Sequence, residues 1–252
     1  MNINQRKRGG SMRQTVILPE INIRYNFTLP QNDLILIAGG RTPDPEWLVE
    51  TARITDDRSI WCIDRGLDAC FAAGLEPALL IGDGDSANSQ NWKIAESRGI
   101  PIKKFNPEKD FTDTQLALQQ ASSADESNYA ILTGCFGGRM DHLFSNIFSF
   151  AHSPLTGCMT DHLESVFFLK DGQAAQIAMV CRPKAISVLP ITDCSGVTLT
   201  GVYWPLHNAD LTQRNVYTIS NELIDSNGPV THAFDVKIKK GILAVYICWS
   251  EN

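Results

Sequence analysis

The stretch Ala78-Leu79-Leu80-Ile81-Gly82-Asp83-Gly84-Asp85-Ser86 decides how this chain is read. Four apolar residues make a buried strand, and glycines and aspartates end it. In an extended backbone, side chains at i and i+2 point to one side, so Asp83 and Asp85 are expected to face one ligand together. Gly82 and Gly84 let the backbone turn and approach that ligand closely. Two like charges at this spacing repel unless a cation or a hydrogen-bond network holds them. A hard divalent cation with oxygen ligands, Mg2+ above all, is the usual solution. Acids delivered at a strand end suit an open α/β sheet, where ligands bind outside the carboxyl ends of the strands.

The same alternation of strand and helix extends to both sides. Leu34 to Ala38 reads as a buried strand ending in Gly39-Gly40, and Pro45 to Ile54 as a helix with proline in its first turn. Ser59 to Ile63 is a strand ending at Asp64-Arg65-Gly66, followed by a short helix from Leu67 to Ala73 that Gly74 closes. Helices are expected at 88–98, 112–122 with Thr112 as N-cap, and 140–151. Strands are expected at 101–105, 129–133 and 165–169. After Asp171-Gly172 the texture changes to short β-like runs at 176–180, 185–189, 197–204, 216–220 and 231–238. Lys239-Lys240-Gly241 turns into a last run at 242–249. The expected fold is α/β: a mostly parallel sheet flanked by helices over residues 1–170, with 1–30 as an N-terminal extension. A small C-terminal β-sandwich follows over 171–252.

Composition narrows the function. The chain has 252 residues, 43% of them hydrophobic and 20% charged, which is enough to bury a real core. A net charge of -6 argues against nucleic acid as a partner, since no basic face is supplied. No apolar run approaches the roughly 20 residues of a membrane span. Met1 to Arg8 is basic without a following apolar stretch, which reads as a floppy tail rather than a signal peptide. The seven cysteines are odd in number and form no C-x-x-C pair, so small core residues in a reducing compartment, the cytoplasm, are expected. The five histidines lack metal-ligand spacing, and His142 reads as a capping or packing residue.

Carboxylates gather at the strand ends: Asp64 after one strand, Asp83 and Asp85 after the next, Asp110 and Asp113 at the start of a helix, and Asp141 past the strand at 129–133. Thr133-Gly134-Cys135-Phe136-Gly137-Gly138-Arg139-Met140-Asp141-His142 reads as strand, glycine-rich turn and helix start. Successive N–H groups in such a turn form an anion nest, and Arg139 can pair a phosphate bidentately. The turn fits neither the P-loop nor the dinucleotide fingerprint.

Taken in order, Asp64-Arg65-Gly66, Gly82-Asp83-Gly84-Asp85-Ser86, Asp110-Phe111-Thr112-Asp113, Gly137-Gly138-Arg139-Met140-Asp141-His142 and Ile219-Ser220-Asn221-Glu222 resemble the thiamine pyrophosphokinase family, over about residues 33 to 250. The resemblance implies a homodimer that transfers a diphosphoryl group from ATP to the hydroxyl of thiamine, giving thiamine diphosphate and AMP. It implies Mg2+ on Asp83, Asp85 and Asp113, with Asp64, Arg65, Asp110, Thr112, Gly138 and Arg139 around ATP and its phosphates. Asp141 would orient the alcohol or accept its proton. Ser220 and Asn221 would line a thiamine pocket at the dimer interface. Two departures stand out: Gly84 where the family usually has Phe between the aspartates, and Glu108-Lys109 at the start of the acid segment. Two rivals compete with this reading. One is an aspartate-nucleophile phosphatase built on Asp83-Gly84-Asp85-Ser86. The other is a nucleotide or thiamine sensor without turnover.

Overall fold

The structure, a computed structural model, describes residues 12–54, 58–105, 110–123, 128–224 and 232–250. The basic residues 1–8 and the pair Glu108-Lys109 lie outside them.

The expected parallel core is present. Strands β3 (Asn32–Ile37), β4 (Arg58–Ile63), β5 (Leu79–Ile81), β6 (Ile102–Lys103), β7 (Asn128–Thr133) and β8 (Thr156–Thr160) pair in parallel in the order β8-β7-β3-β4-β5-β6. β3 and β7 are each buried at five successive positions, four of them apolar, as befits strands covered on both faces. Helices α1 (Pro45–Arg53), α2 (Gly66–Ala72) and α3 (Ser89–Ser97) place Trp47, Leu48, Leu67, Cys70, Trp92 and Ala95 in one core. Helices α4 (Asp113–Ser123) and α5 (Met140–His152) place Ala117, Leu118, Phe150 and Ala151 in another. The N-cap at Thr112 closes a reciprocal box: Gln115 N–H donates to Thr112 Oγ1 (3.2 Å), and Thr112 N–H donates to Gln115 Oε1 (2.9 Å).

Parallel pairing holds for these six strands but not for the rest of the β structure. β9 (Glu164–Lys170), β15 (Ile242–Cys248) and β11 (Ala185–Pro190) extend the same sheet to nine strands, all antiparallel. A tight turn between Thr160 and Ser165 forces the first reversal, because a short link can only join antiparallel neighbours. A second, six-stranded sheet is wholly antiparallel. It runs β1 (Thr15–Ile17), β2 (Ile21–Tyr25), β10 (Ala174–Met179), β14 (Ala233–Lys237), β12 (Cys194–Thr200) and β13 (Leu206–Leu211). β2, β10 and β14 alternate buried and exposed, so one face is packed and the other meets solvent. Ile23, Ile177, Phe234 and Val236 from that face share a core with Tyr129, Phe167, Val188 and Val245 of the nine-stranded sheet.

Chain segments cross residue 170 in both directions. β1 and β2 join the six-stranded sheet, and β11 and β15 join the nine-stranded one. Arg13 and Arg58 fix this exchange by pairing with the buried Asp33 at 2.7 and 3.0 Å, while Arg58 also donates to Ile17 O of β1 (2.6 Å). The run at 216–220 is not a strand, and its Val216, Tyr217 and Ile219 are exposed. No helix among the described residues is long and apolar enough to cross a membrane. All seven cysteines are free thiols, six of them buried.

Candidate functional site

Asp64, Asp83 and Asp113 come together where β4 and β5 end and α4 begins. Asp64 sits in the left-handed region (φ 43°), which turns its carboxylate back toward the end of β5. Gly82 leaves the room for it, since a Cβ there would collide with Asp64 Oδ1. Gly84 N–H reaches the same oxygen at 3.4 Å. Burial pushes the Asp64 carboxyl up to about 7, aided by the charge and hydrogen bond of Asp113 and by the charge of Asp83. Asp64 therefore holds its proton up to near neutral pH, beside the Asp113 carboxylate.

Asp83 and Asp85 do not lie on one extended strand. β5 stops at Ile81, and the chain bends at Gly82 and again from Gly84 onward, with Gly82 at φ 130° and Gly84 at φ 81°. Asp83 is half-buried beside Asp64. Asp85 is exposed and reaches the group through its N–H, which donates to Asp83 Oδ1 (3.1 Å). Among the described residues no three His, Cys, Asp or Glu side chains are gathered tightly enough to hold a metal by themselves. The donor chemistry nonetheless fits a hard cation: the group offers carboxylate oxygens only, and a raised carboxyl that a cation would relieve of its proton. Asp110 is exposed in the bend before α4, and Arg65 opens α2 with its guanidinium on Gly39 O.

The glycine-rich turn after β7 is interlocked with the loop after β3. Ala38, Gly40 and Arg41 N–H groups donate to Thr133 O (2.8 Å), Gly134 O (2.6 Å) and Phe136 O (2.6 Å), continuing the parallel ladder past both strand ends. A Cβ at Gly40 would lie 2.6 Å from Phe136 O, so only glycine fits there. Arg41 is the hub. Its guanidinium lies 5.5 Å over the Phe136 ring, bonds the fully buried Asp161 in the β8–β9 turn (2.8 Å) and pairs with Glu164 at the start of β9. His162 Nδ1 accepts from Asp44 N–H (3.1 Å) and adds a second tie. The sequence reading stopped at Gly39-Gly40 and missed Arg41. The signal was present, since Arg41 follows a strand end as Asp64 and Asp83 do.

Gly137 and Gly138 both adopt φ 65° and are exposed, which leaves the turn open. Arg139 and Asp141 pair with each other at 2.5 Å on the surface, and Arg139 holds the Asp141 carboxyl below its usual range. Asn221 is buried, and its amide is committed to the loop: its oxygen accepts from Trp204 N–H (3.1 Å) and Glu222 N–H (2.9 Å), and its nitrogen donates to Trp204 O (2.7 Å). Ser220 stands exposed beside it at φ 57°. This segment bridges to Ile186 of β11, at the far edge of the nine-stranded sheet. It is not brought to the acids: with strands about 4.8 Å apart, β11 and β4 are on the order of 30 Å apart. A cavity of about 670 Å³ lies on the outer face of the six-stranded sheet, among Arg24, Gln176, Asp235 and Lys237. It shares no residue with the acid loops.

The sequence matches the family Thiamin pyrophosphokinase, catalytic domain, over residues 52–159, which takes in Asp64, Asp83, Asp85, Asp113, Arg139 and Asp141. It matches Thiamin pyrophosphokinase, vitamin B1 binding domain, over residues 176–243, which takes in Ser220 and Asn221. Thiamine pyrophosphokinase of Bacillus subtilis (strain 168) is 31% identical over 214 residues, 82% of this chain and 94% of that protein. A crystal structure of thiamine pyrophosphokinase from Bacillus subtilis aligns with a TM-score of 0.73 at 25% identity, over 87% of this chain and 100% of that one. Thiamin pyrophosphokinase from Candida albicans aligns with a TM-score of 0.68 at 16% identity, over 86% of this chain and 89% of that one, which is a likeness of fold.

Proposed function

Because the chain belongs to the thiamine pyrophosphokinase family, we propose that its acid cluster and glycine-rich turn are the two halves of a diphosphoryl-transfer site. The activity is that of the family: ATP and thiamine give thiamine diphosphate and AMP. The observation that carries the site is the convergence of Asp64, Asp83 and Asp113. The strand carrying the glycine-rich turn lies two places from the strand carrying Asp64, about 10 Å at normal strand spacing, a span suited to a polyphosphate.

In-line transfer to an alcohol needs positioning and charge neutralisation more than covalent help. Asp83, Asp85 and Asp113 would hold Mg2+, with Asp64 and Asp110 orienting its surroundings. When bound, the cation offsets the negative charge of the phosphates. Backbone N–H groups of residues 134–138 bind phosphate oxygens, and Arg139 adds positive charge at the open side. Asp141 holds Arg139 in place until a substrate competes for it, and orients the alcohol or takes its proton. We assign nucleotide and metal binding to residues 1–170, and thiamine binding with dimerisation to 171–252, in a cytoplasmic enzyme.

The homodimer reading rests on distance and surface. One thiamine cannot span the roughly 30 Å between the Ser220-Asn221 segment and the acids of the same chain. Around that segment Tyr203, Trp204, Tyr217, Ile219 and Ile224 are all more than half exposed, an apolar patch of the kind that marks an interface. A second copy that covers this patch with its acid loops would complete two thiamine sites.

The test is to incubate the pure protein with ATP, Mg2+ and thiamine and to separate the products. Equal amounts of AMP and thiamine diphosphate are expected. Asp83→Ala should lower turnover by a factor on the order of a thousand with the fold intact. ADP with thiamine monophosphate would mean a simple kinase. Phosphate released without thiamine would revive the phosphatase, and binding without turnover would revive the sensor.

A further inference from the structure

Gly84 separates the two aspartates of the acid loop and has no space for a side chain. Its φ is 81°, and a Cβ there would lie 2.7 Å from both Cδ2 and Cε2 of Trp92 and 3.0 Å from Cε3. The peptide at Gly84 is therefore seated on the indole. Trp92 is 8% exposed and packs in the core beneath α3.

The helix that presents this ring is itself pinned. Asn88 caps α3 by accepting from Gln90 N–H (2.9 Å) and Asn91 N–H (3.3 Å). Asn88 N–H donates in turn to the Asp68 carboxylate (3.0 Å), and Asn91 Nδ2 donates to Asp68 Oδ1 (2.7 Å). Asp68 lies in the first turn of α2, the helix that starts two residues after Asp64. The helix that follows Asp64 thus anchors the start of the helix that carries the indole. Gly84 N–H points at Asp64 Oδ1 from one side while the ring supports it from the other.

We propose that Trp92 is a positioning residue for the acid loop. Its indole is the floor that sets the height of Gly84, and so the placement of Asp83 and Asp85 against Asp64. The inference rests on the reading that these acids hold a divalent cation. A tryptophan that only filled the core would contribute stability without affecting ion binding.

Mn2+ binding separates these roles without any turnover, by loss of the free-ion electron paramagnetic resonance signal. Full-length wild type, Trp92→Ala, Trp92→Phe and the core control Leu48→Ala would be titrated, with melting temperatures measured alongside. Trp92→Ala should bind Mn2+ about 10- to 100-fold more weakly, the usual loss when a residue supporting metal ligands is removed, while Trp92→Phe keeps most of the affinity. Leu48→Ala should lose stability and keep its Mn2+ affinity. Should Trp92→Ala fail to fold, Trp92→Leu keeps bulk without the flat ring and is expected to show the same weakening. Folded Trp92→Ala or Trp92→Leu with wild-type Mn2+ affinity, or an equal loss in Leu48→Ala, overturns the proposal. Wild type that binds no Mn2+ overturns the cation reading itself, before any variant is made.

Discussion

Asp64 carries the charge conflict of the acid cluster, and its titration should be visible in stability. Its carboxyl rises from 3.8 to about 7, through burial first and Asp113 second. A raised carboxyl pKa means that the folded chain holds the proton more tightly than the unfolded chain. Its contribution to folding is therefore full below about pH 4 and is lost as the pH climbs through about 7. In chelator, the melting temperature of wild type relative to Asp64→Asn should fall across that window. Mg2+ should recover the loss at neutral pH in wild type alone. Parallel curves for the two proteins would remove Asp64 from the cluster. This acid was legible in the sequence because a carboxylate at a buried strand end is conspicuous. Trp92 was not, since nothing in a helix's sequence tells whether its aromatic residue lies under a loop. Gly84 looked like a plain departure from the family pattern until the ring beside it came into view.

The strand–turn–helix unit from Asn128 to His152 was legible, because an apolar run, clustered glycines and a helical period each point to one element. The locking of its turn onto the loop after β3 was not, because a glycine's need becomes visible only when its neighbour is known. The run at 216–220 misled for a related reason: alternation marks a strand only where one face has something to pack against. Arg41 is the side chain that joins these loops, and it neutralises Asp161, whose carboxylate is fully buried. Removing one partner of a buried pair leaves an uncompensated charge and costs about 3–5 kcal/mol. Asp161 keeps N–H bonds from Leu163 (2.9 Å) and Glu164 (3.1 Å), so Arg41→Met should sit near the lower end, at about 3 kcal/mol by urea denaturation. Adding Asp161→Asn should return part of that loss, because the stranded charge is gone. Purely additive losses in the double variant would mean that the two side chains do not act as a pair.

The whole molecule departs most from its sequence reading in how the two sheets exchange strands. Ile21, Ile23 and Tyr25 alternate as a half-buried strand should, yet Pro19 and Pro30 frame them like a tail. Conversely, residues 242–248 are apolar almost without alternation, the mark of a strand buried on both faces, which suits the large sheet better than a sandwich edge. That placement has a functional consequence. With β15 and β11 filling the far side of the nine-stranded sheet, the Ser220-Asn221 segment is held away from the acids of its own chain. A site shared between two copies then predicts complementation. Asp83→Ala disables the acid half, and Ser220→Arg sets a cation where the thiamine cation is to lie, so each variant alone should be nearly inactive. Unfolded together and refolded, half of the dimers formed at random are mixed, and each mixed dimer holds one intact site of two. Activity should return to about a quarter of wild type, as two-fold symmetry with reciprocal contributions requires. A site built within one chain gives no recovery at any mixing ratio, because every chain then carries its own defect.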